Sequence, residues 1–432
     1  MAIVAPKNST ITTSSEPTSY SVPLAVVTTL FFMWGFLTCL NDILVPHLKP
    51  IFDLNYTEIM LIQFAFFGAY FVFSIPSAKI IDWIGYQRSM VVGLMTMGVG
   101  AFLFVPAASV PSYPLFLIAL IVLAAGITCL QVAANPYVTV LGKPETASSR
   151  LNLTQAFNSL GTFLAPFFGG LLILSAAPKT MTEIRALAPD ALQAYRLHEA
   201  SSVKLPYVGL GVALVLLAVV IGSFKLPKIE HAQHRVGEKV TDSIWNHPNL
   251  IFGAIGIFVY VGAEVSIGSF LVNYFSQPDI GGLTEKAAAS FVAFYWGGAM
   301  VGRFIGSGLL QKIKTGHLLG ICAVCAAALV TISMISTGHF AMWSIILVGF
   351  FNSIMFPSIF TLGVAELGPL TGDGSGVLIM AIVGGAIIPL AQGAIADRLG
   401  IHHAFFLPVI CYLYILYFAL IGSRPNSERA RS

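Results

Sequence analysis

Two carboxylates stand where charge is expensive. Asp42 follows Asn41 in FFMWGFLTCLNDILVPHLK and Glu264 sits in YVGAEVSIGSF, both within long apolar runs. A carboxylate in hydrocarbon costs at least ~2.5–3.5 kcal/mol, so each needs a partner or a task. The tasks open to it are taking up a proton and ligating a cation, and both residues are assigned to cation coupling. Thr38, Asn41 and Asp42 recur at i, i+3 and i+4 on one helical face. A proton needs only a carboxylate whose pKa burial has raised, whereas sodium asks for several oxygens. Asp42 with Asn41, Thr38 and Gln131 would supply them, so proton and sodium both stay open. Uncharged polar residues form a second set. Thr128, Gln131 and Asn135 share one spacing, and Asn152, Gln155 and Ser159 repeat it with Asn158 beside them. Amides both donate and accept, which suits a polyhydroxylated ligand. Gln131, Gln155 and Asn158 are expected to bind it, together with Asn41, Tyr260 one turn before Glu264, and Asn352.

The elements that position these residues follow from composition. Only 9% of the 432 residues are charged and 56% are hydrophobic, against about 25% charged in a soluble chain. Such a sequence cannot make a water-facing skin, so its solvent is lipid. A net charge of +3 gives no basic excess for nucleic acid, and five Cys with nine His offer neither a disulfide framework nor zinc spacing. Residues 1–22 are Ser/Thr-rich without an apolar core and are expected to be a disordered tail. Twelve apolar stretches long enough to cross ~30 Å of hydrocarbon follow. They are Leu24 to Leu48, Ile59 to Ile81, Ser89 to Ala107, Tyr113 to Val140, Leu151 to Leu174, Val203 to Phe224, Pro248 to Phe275, Lys286 to Leu310, His317 to Ser336, Phe340 to Val364, Ser375 to Ala396 and His402 to Ile421. The polar, basic stretch 225–246 divides six spans (23–224) from six more (247–422), and 423–432 form a tail. With both termini on one side, that side collects fifteen of the 22 Lys and Arg, Arg303 among them, and is expected to be cytoplasmic.

The halves look related. Asn135-Pro-Tyr-Val-Thr-Val-Leu-Gly142 closes span four and Phe356-Pro-Ser-Ile-Phe-Thr-Leu-Gly363 closes span ten. At nearly the same offset Gln131 falls on Asn352, Pro166 on Pro389 and Asp42 on Glu264. Two related six-helix halves with a site between them are a secondary-transporter arrangement. An all-α membrane protein of twelve spans in two pseudo-symmetric bundles is therefore expected. A polytopic enzyme would need a nucleophile, base or metal cluster facing one cavity, and none is apparent. A channel is a third reading.

Three segments carry a family resemblance. Trp34 to Lys49 (WGFLTCLNDILVPHLK), Leu130 to Glu145 (LQVAANPYVTVLGKPE) and Ser148 to Thr162 (SSRLNLTQAFNSLGT) resemble the bacterial glucose/galactose transporter branch of the fucose permease family, in the major facilitator superfamily. The resemblance implies alternating access and cation-coupled sugar uptake across a bacterial inner membrane. Hexoses such as glucose and galactose are the leading substrates, with N-acetylglucosamine and fucose as alternatives. It implies a sugar and the bilayer as partners, a monomer, and no cofactor beyond the coupling cation. The family's coupling aspartate falls on Asp42. Its fourth-helix glutamate falls on Gln131, which cannot take up a proton, and Glu264 is expected to replace it from the opposite half. Its helix-five polar residues fall on Gln155 and Asn158. The superfamily's loop motif survives partially as Asp82-Trp-Ile-Gly85-Tyr-Gln-Arg88, so Asp82, Gly85 and Arg88 are expected to latch a cytoplasmic gate.

Overall fold

The computed structural model describes residues 20–52, 56–110, 112–172, 186–202, 204–227 and 242–424. Most of the expected N-terminal tail and linker, and the last eight residues, lie outside the described residues. The first half contains α1 (Ser21–Phe52), α2 (Tyr56–Ser109), α3 (Tyr113–Val140), α4 (Ala147–Leu172), α5 (Pro189–Ser202) and α6 (Lys204–Ser223). The second contains α7 (Pro248–Phe275), α8 (Glu285–Leu309), α9 (Thr315–Ile335), α10 (Gly338–Asn352), α11 (Met355–Gly363), α12 (Thr371–Met380), α13 (Gly384–Leu399), α14 (Ile401–Ala404) and α15 (Phe406–Tyr417).

Helices are what such a sequence must form, because hydrocarbon offers no partner for an unpaired backbone N–H or C=O. Among the described residues, nine helical runs are long and apolar enough to cross a membrane. One of them, Leu61–Ser109, has 49 residues. Straight, it would be roughly 74 Å long, over twice the hydrocarbon thickness. It turns back at Gly85, whose backbone (φ 81°, ψ 167°) is open to glycine and costly for other residues. It therefore makes two crossings. Three other runs are each assembled from consecutive helices: α10 with α11, α12 with α13, and α14 with α15. With α1 and α4, the twelve expected crossings are accounted for. The boundaries shift by only a few residues. What the hydropathy does not predict is α5, a polar helix after the fifth crossing that packs on α1 and α2.

The pairing of helices repeats between the halves. In the first, α1 lies along α4 and the second arm of α2 lies along α6. In the second, α7 lies along α13 and α9 along α15, the equivalent pairs. The bundles meet through α4 against α8 and α2 against α12. Large apolar side chains such as Phe64, Phe71, Val99, Leu216, Ile321, Trp343 and Leu413 are exposed. In a membrane they face lipid, and the small and polar residues turn inward.

Candidate substrate and cation sites

In the C-terminal bundle polar groups gather around Glu264, which α7 carries near its middle. Tyr260, one turn earlier, donates its hydroxyl proton toward Glu264 Oε1 at 2.8 Å and toward the Asn352 carbonyl at 3.1 Å. The Tyr295 hydroxyl, from α8, accepts from Asn352 Nδ2 at 2.9 Å and points its own proton at the Glu264 carbonyl, 3.5 Å away. Tyr260, Tyr295 and Asn352 are fully buried, while Glu264 keeps partial exposure. Glu264 is thus the member of this group that reaches open space. Tyr260 and Asn352, expected to touch substrate, are hydrogen-bonded around the carboxylate, and Asn352 Oδ1 is buried with no hydrogen-bond partner among the described residues.

The N-terminal bundle answers with amides. Gln131 on α3 donates Nε2 to the Tyr70 hydroxyl at 2.6 Å, and Gln155 on α4 donates weakly to Asn135 Oδ1 at 3.4 Å. Gln131 Oε1 and Asn135 Nδ2, one turn apart on α3, are buried and have no hydrogen-bond partner among the described residues. Leaving such atoms unmatched costs about 1–3 kcal/mol each, so an acceptor and a donor on one face are ready for a ligand's hydroxyls. Asn158 is half-buried and donates to the Phe31 carbonyl on α1 at 2.8 Å. Asp42, Asn41 and Thr38 fall on helical backbone of α1, and their side chains lie outside the described residues.

Hydrogen bonds between the bundles run from the end holding the α3–α4 and α8–α9 turns to mid-depth, and none is found among the described residues toward the opposite end. Ser148 bonds Thr361 at 2.6 Å and Thr315 at 2.9 Å, Ser149 donates to the Ser307 carbonyl at 2.7 Å, and Asn152 donates to the Arg303 carbonyl at 2.7 Å. At the same end Lys79 Nζ lies 2.9 Å from Asp373 Oδ1 and 3.7 Å from Asp82 Oδ2. Asp82 is buried beside this ion pair, Gly85 makes the turn beyond it, and Arg88 is exposed. The sequence showed the motif's acid but not Asp373, its counterpart across the interface.

Two further residues escaped the sequence. Tyr70 reads there as one aromatic among many in an apolar run. Arg303 was counted with the loop charges, yet its side chain enters the interface. Its Nη1 donates to the Ser159 hydroxyl and, at 3.5 Å, to the Gln155 carbonyl, and its Nε donates to the Ser353 carbonyl at 3.2 Å. The available signal was its place within Gly302-x-x-x-Gly306. A Cβ on Gly302 would come within 2.5 Å of the Phe350 carbonyl oxygen, so only glycine lets α8 approach α10 this closely.

Residues 25–382 match the Major Facilitator Superfamily. A glucose/galactose transporter of Brucella abortus biovar 1 (strain 9-941) is 54% identical over 425 residues, covering 98% of this chain and all of the relative. The L-fucose-proton symporter of Escherichia coli (strain K12) is 35% identical over 422 residues, 95% of each chain. The crystal structure of the transporter FucP in the outward conformation superposes with a TM-score of 0.86 at 34% identity, covering 94% of this chain and 99% of that one.

Proposed function

The chain belongs to the major facilitator superfamily, and from that premise we propose that it takes up a hexose such as glucose or galactose by cation symport across a bacterial inner membrane. The observation that carries this reading is polar chemistry inside both bundles: unmatched amide atoms of Gln131 and Asn135 in one, and in the other the unmatched Asn352 Oδ1 near a partly exposed carboxylate held by Tyr260. Relatives named for glucose and galactose support the substrate class.

In this reading Gln131, Gln155 and Asn158 hold the sugar, and Asp42 and Glu264 carry the cation. Tyr260 and Asn352 orient Glu264. The basic end is cytoplasmic, so both termini lie there and the hydrogen-bonded end is the closed inner gate, latched by Asp82 and Lys79 against Asp373. Both bundles belong to one chain, so a monomer is a complete carrier. The E. coli relative is named for proton symport, which favours the proton. Gln131 pulls the other way, since its Oε1 is an unpaired oxygen that sodium could use.

Purified protein in vesicles, offered glucose, galactose, N-acetylglucosamine and fucose under a proton gradient and then a sodium gradient, tests all of this. Accumulation of glucose or galactose against one gradient is the expected result. Accumulation of another sugar replaces the substrate, and leakage without counterflow removes the carrier reading altogether.

A further inference from the structure

Pro357 has no N–H, so the Ser353 carbonyl one turn earlier has no partner within its helix. The helix breaks there: α10 ends at Asn352 and α11 begins at Met355. Side chains of two other helices take the two carbonyls at the break. Tyr260 of α7 reaches that of Asn352, and Arg303 of α8 reaches that of Ser353. Arg303 then continues into the other bundle, to the Ser159 hydroxyl and the Gln155 carbonyl. Those two belong to the stretch of α4 that carries Gln155 and Asn158. A path of hydrogen bonds, carried from Asn352 to Ser353 by one peptide unit, therefore runs from Glu264 to the turn of α4 that bears the amides proposed to hold sugar.

The path contains a switch. Tyr260 has one hydroxyl proton and two acceptors, Glu264 Oε1 at 2.8 Å and the Asn352 carbonyl at 3.1 Å. An ionised carboxylate is the stronger acceptor and holds the phenol. A carboxyl neutralised by a proton, or engaged by a metal cation, competes less well and releases the phenol to the carbonyl at the break. The other ionisable groups facing Glu264 are Tyr295 and Arg303 on α8 and Tyr412 on α15. Of these, Arg303 reaches across to α4.

We infer that Arg303 is the positioning residue through which the cation state of Glu264 sets the hold on the sugar-binding turn of α4, by way of Tyr260 and the broken α10–α11 junction. This rests on the sugar-symport reading. It adds to that reading a named route by which the cation in one bundle is felt by the sugar in the other, and the hydrogen bonds to Ser159 and Gln155 make the same residue part of the closed inner gate.

The test is a double-mutant cycle on sugar affinity, measured with labelled hexose on the purified full-length chain in nanodiscs. Glu264→Gln fixes the neutral state and is expected to change sugar Kd by roughly 5- to 150-fold, the usual size of coupling between sites. In an Arg303→Gln background the same substitution should change it less than about twofold. Equal shifts in both backgrounds overturn the route, as does a Glu264→Gln protein with unchanged Kd. Ser159→Ala, which leaves every charge in place, should shrink the Glu264→Gln shift and keeps the test valid if Arg303→Gln fails to fold. If the unaltered protein binds none of the sugars, the symport reading fails and takes this inference with it. Binding with additive shifts defeats the inference alone.

Discussion

Pro136 and Pro357 occupy equivalent places in the two bundles, and each frees the carbonyl four residues before it, at Val132 and Ser353. The freed groups meet different fates. α3 stays helical through Pro136, and the Val132 carbonyl accepts a neutral hydroxyl, Ser375 Oγ of α12, at 2.9 Å. At Pro357 the helix breaks and the Ser353 carbonyl accepts the guanidinium of Arg303. The neighbours follow suit: Gln131 and Asn135 beside the first, Glu264, Tyr260 and Asn352 beside the second. A charge inside the protein persists only where enough hydrogen-bonding groups surround it, and the Ser353 carbonyl freed by Pro357 is one acceptor for the Arg303 guanidinium. Around these two prolines one duplicated scaffold has diverged into an amide-lined face in the first bundle and a cluster with an ionisable carboxyl in the second.

The strongest way to break this contrast is to remove charge. Glu264→Gln should reduce gradient-driven accumulation in vesicles to equilibration while leaving sugar counterflow partly intact, because a neutral amide cannot cycle a proton and is a poorer cation ligand. Asp42→Asn should do the same. Full accumulation by either variant would take that residue out of coupling. Next in size are Gln131→Ala, Gln155→Ala and Asn158→Ala, each losing one proposed partner of a sugar hydroxyl at ~1–3 kcal/mol, or roughly 5- to 150-fold in Kd. Equilibrium binding with expression checked alongside reads the effect. Unchanged affinity in all three would move the sugar elsewhere.

How far the contrast was legible beforehand depended on range. Glu264 could be found from its own helix, since a carboxylate amid YVGAEVSIGSF is anomalous without any knowledge of neighbours. The crossings were legible for the same local reason, and the polar residues between Ile81 and Ser89 already parted the second span from the third. Arg303 was not, because residues near it in sequence cannot say whether a charge six residues before a helix end faces water or a partner helix. Nor were Tyr70 and Asp373, whose importance lies in Gln131 and Lys79, far away along the chain. Tyr260 and Asn352 were recognised as polar in apolar surroundings. Whether such a residue touches a ligand or orients one that does is decided by packing, which no spacing rule contains.

A smaller pair of effects sharpens the comparison at the prolines themselves. Pro357→Ala restores an N–H that reclaims the Ser353 carbonyl and takes from Arg303 a charge-assisted bond, at about 1–2 kcal/mol. Coupled uptake should fall roughly 5- to 30-fold at unchanged expression. Pro136→Ala costs only the neutral bond to Ser375, ~0.5–1.5 kcal/mol, so its effect on uptake should be the lesser. Equal losses from both substitutions would mean that the two freed carbonyls do the same job.

The smallest expected effect belongs to the ion pair at the proposed inner gate. Lys79 and Asp373 approach to 2.9 Å, but the lysine side chain is 51% exposed. Water screens such a pair, and exposed ion pairs contribute about 0–1 kcal/mol. Lys79→Ala should therefore shift the balance between closed and open inner gates by no more than about fivefold. The rate at which a cysteine introduced beside the gate is labelled from the cytoplasmic side would report that shift. Raising salt from low to high concentration should erase most of the difference between variant and parent, because the lost interaction was electrostatic and solvent-exposed. Ser148, Ser149 and Asn152, in contrast, join the bundles at this end through uncharged hydrogen bonds, and Ser149→Ala should open the proposed gate to a degree that salt does not change. A salt-insensitive Lys79→Ala effect of tenfold or more would show that the charged latch, rather than the neutral contacts of α4 with α8, holds this end shut.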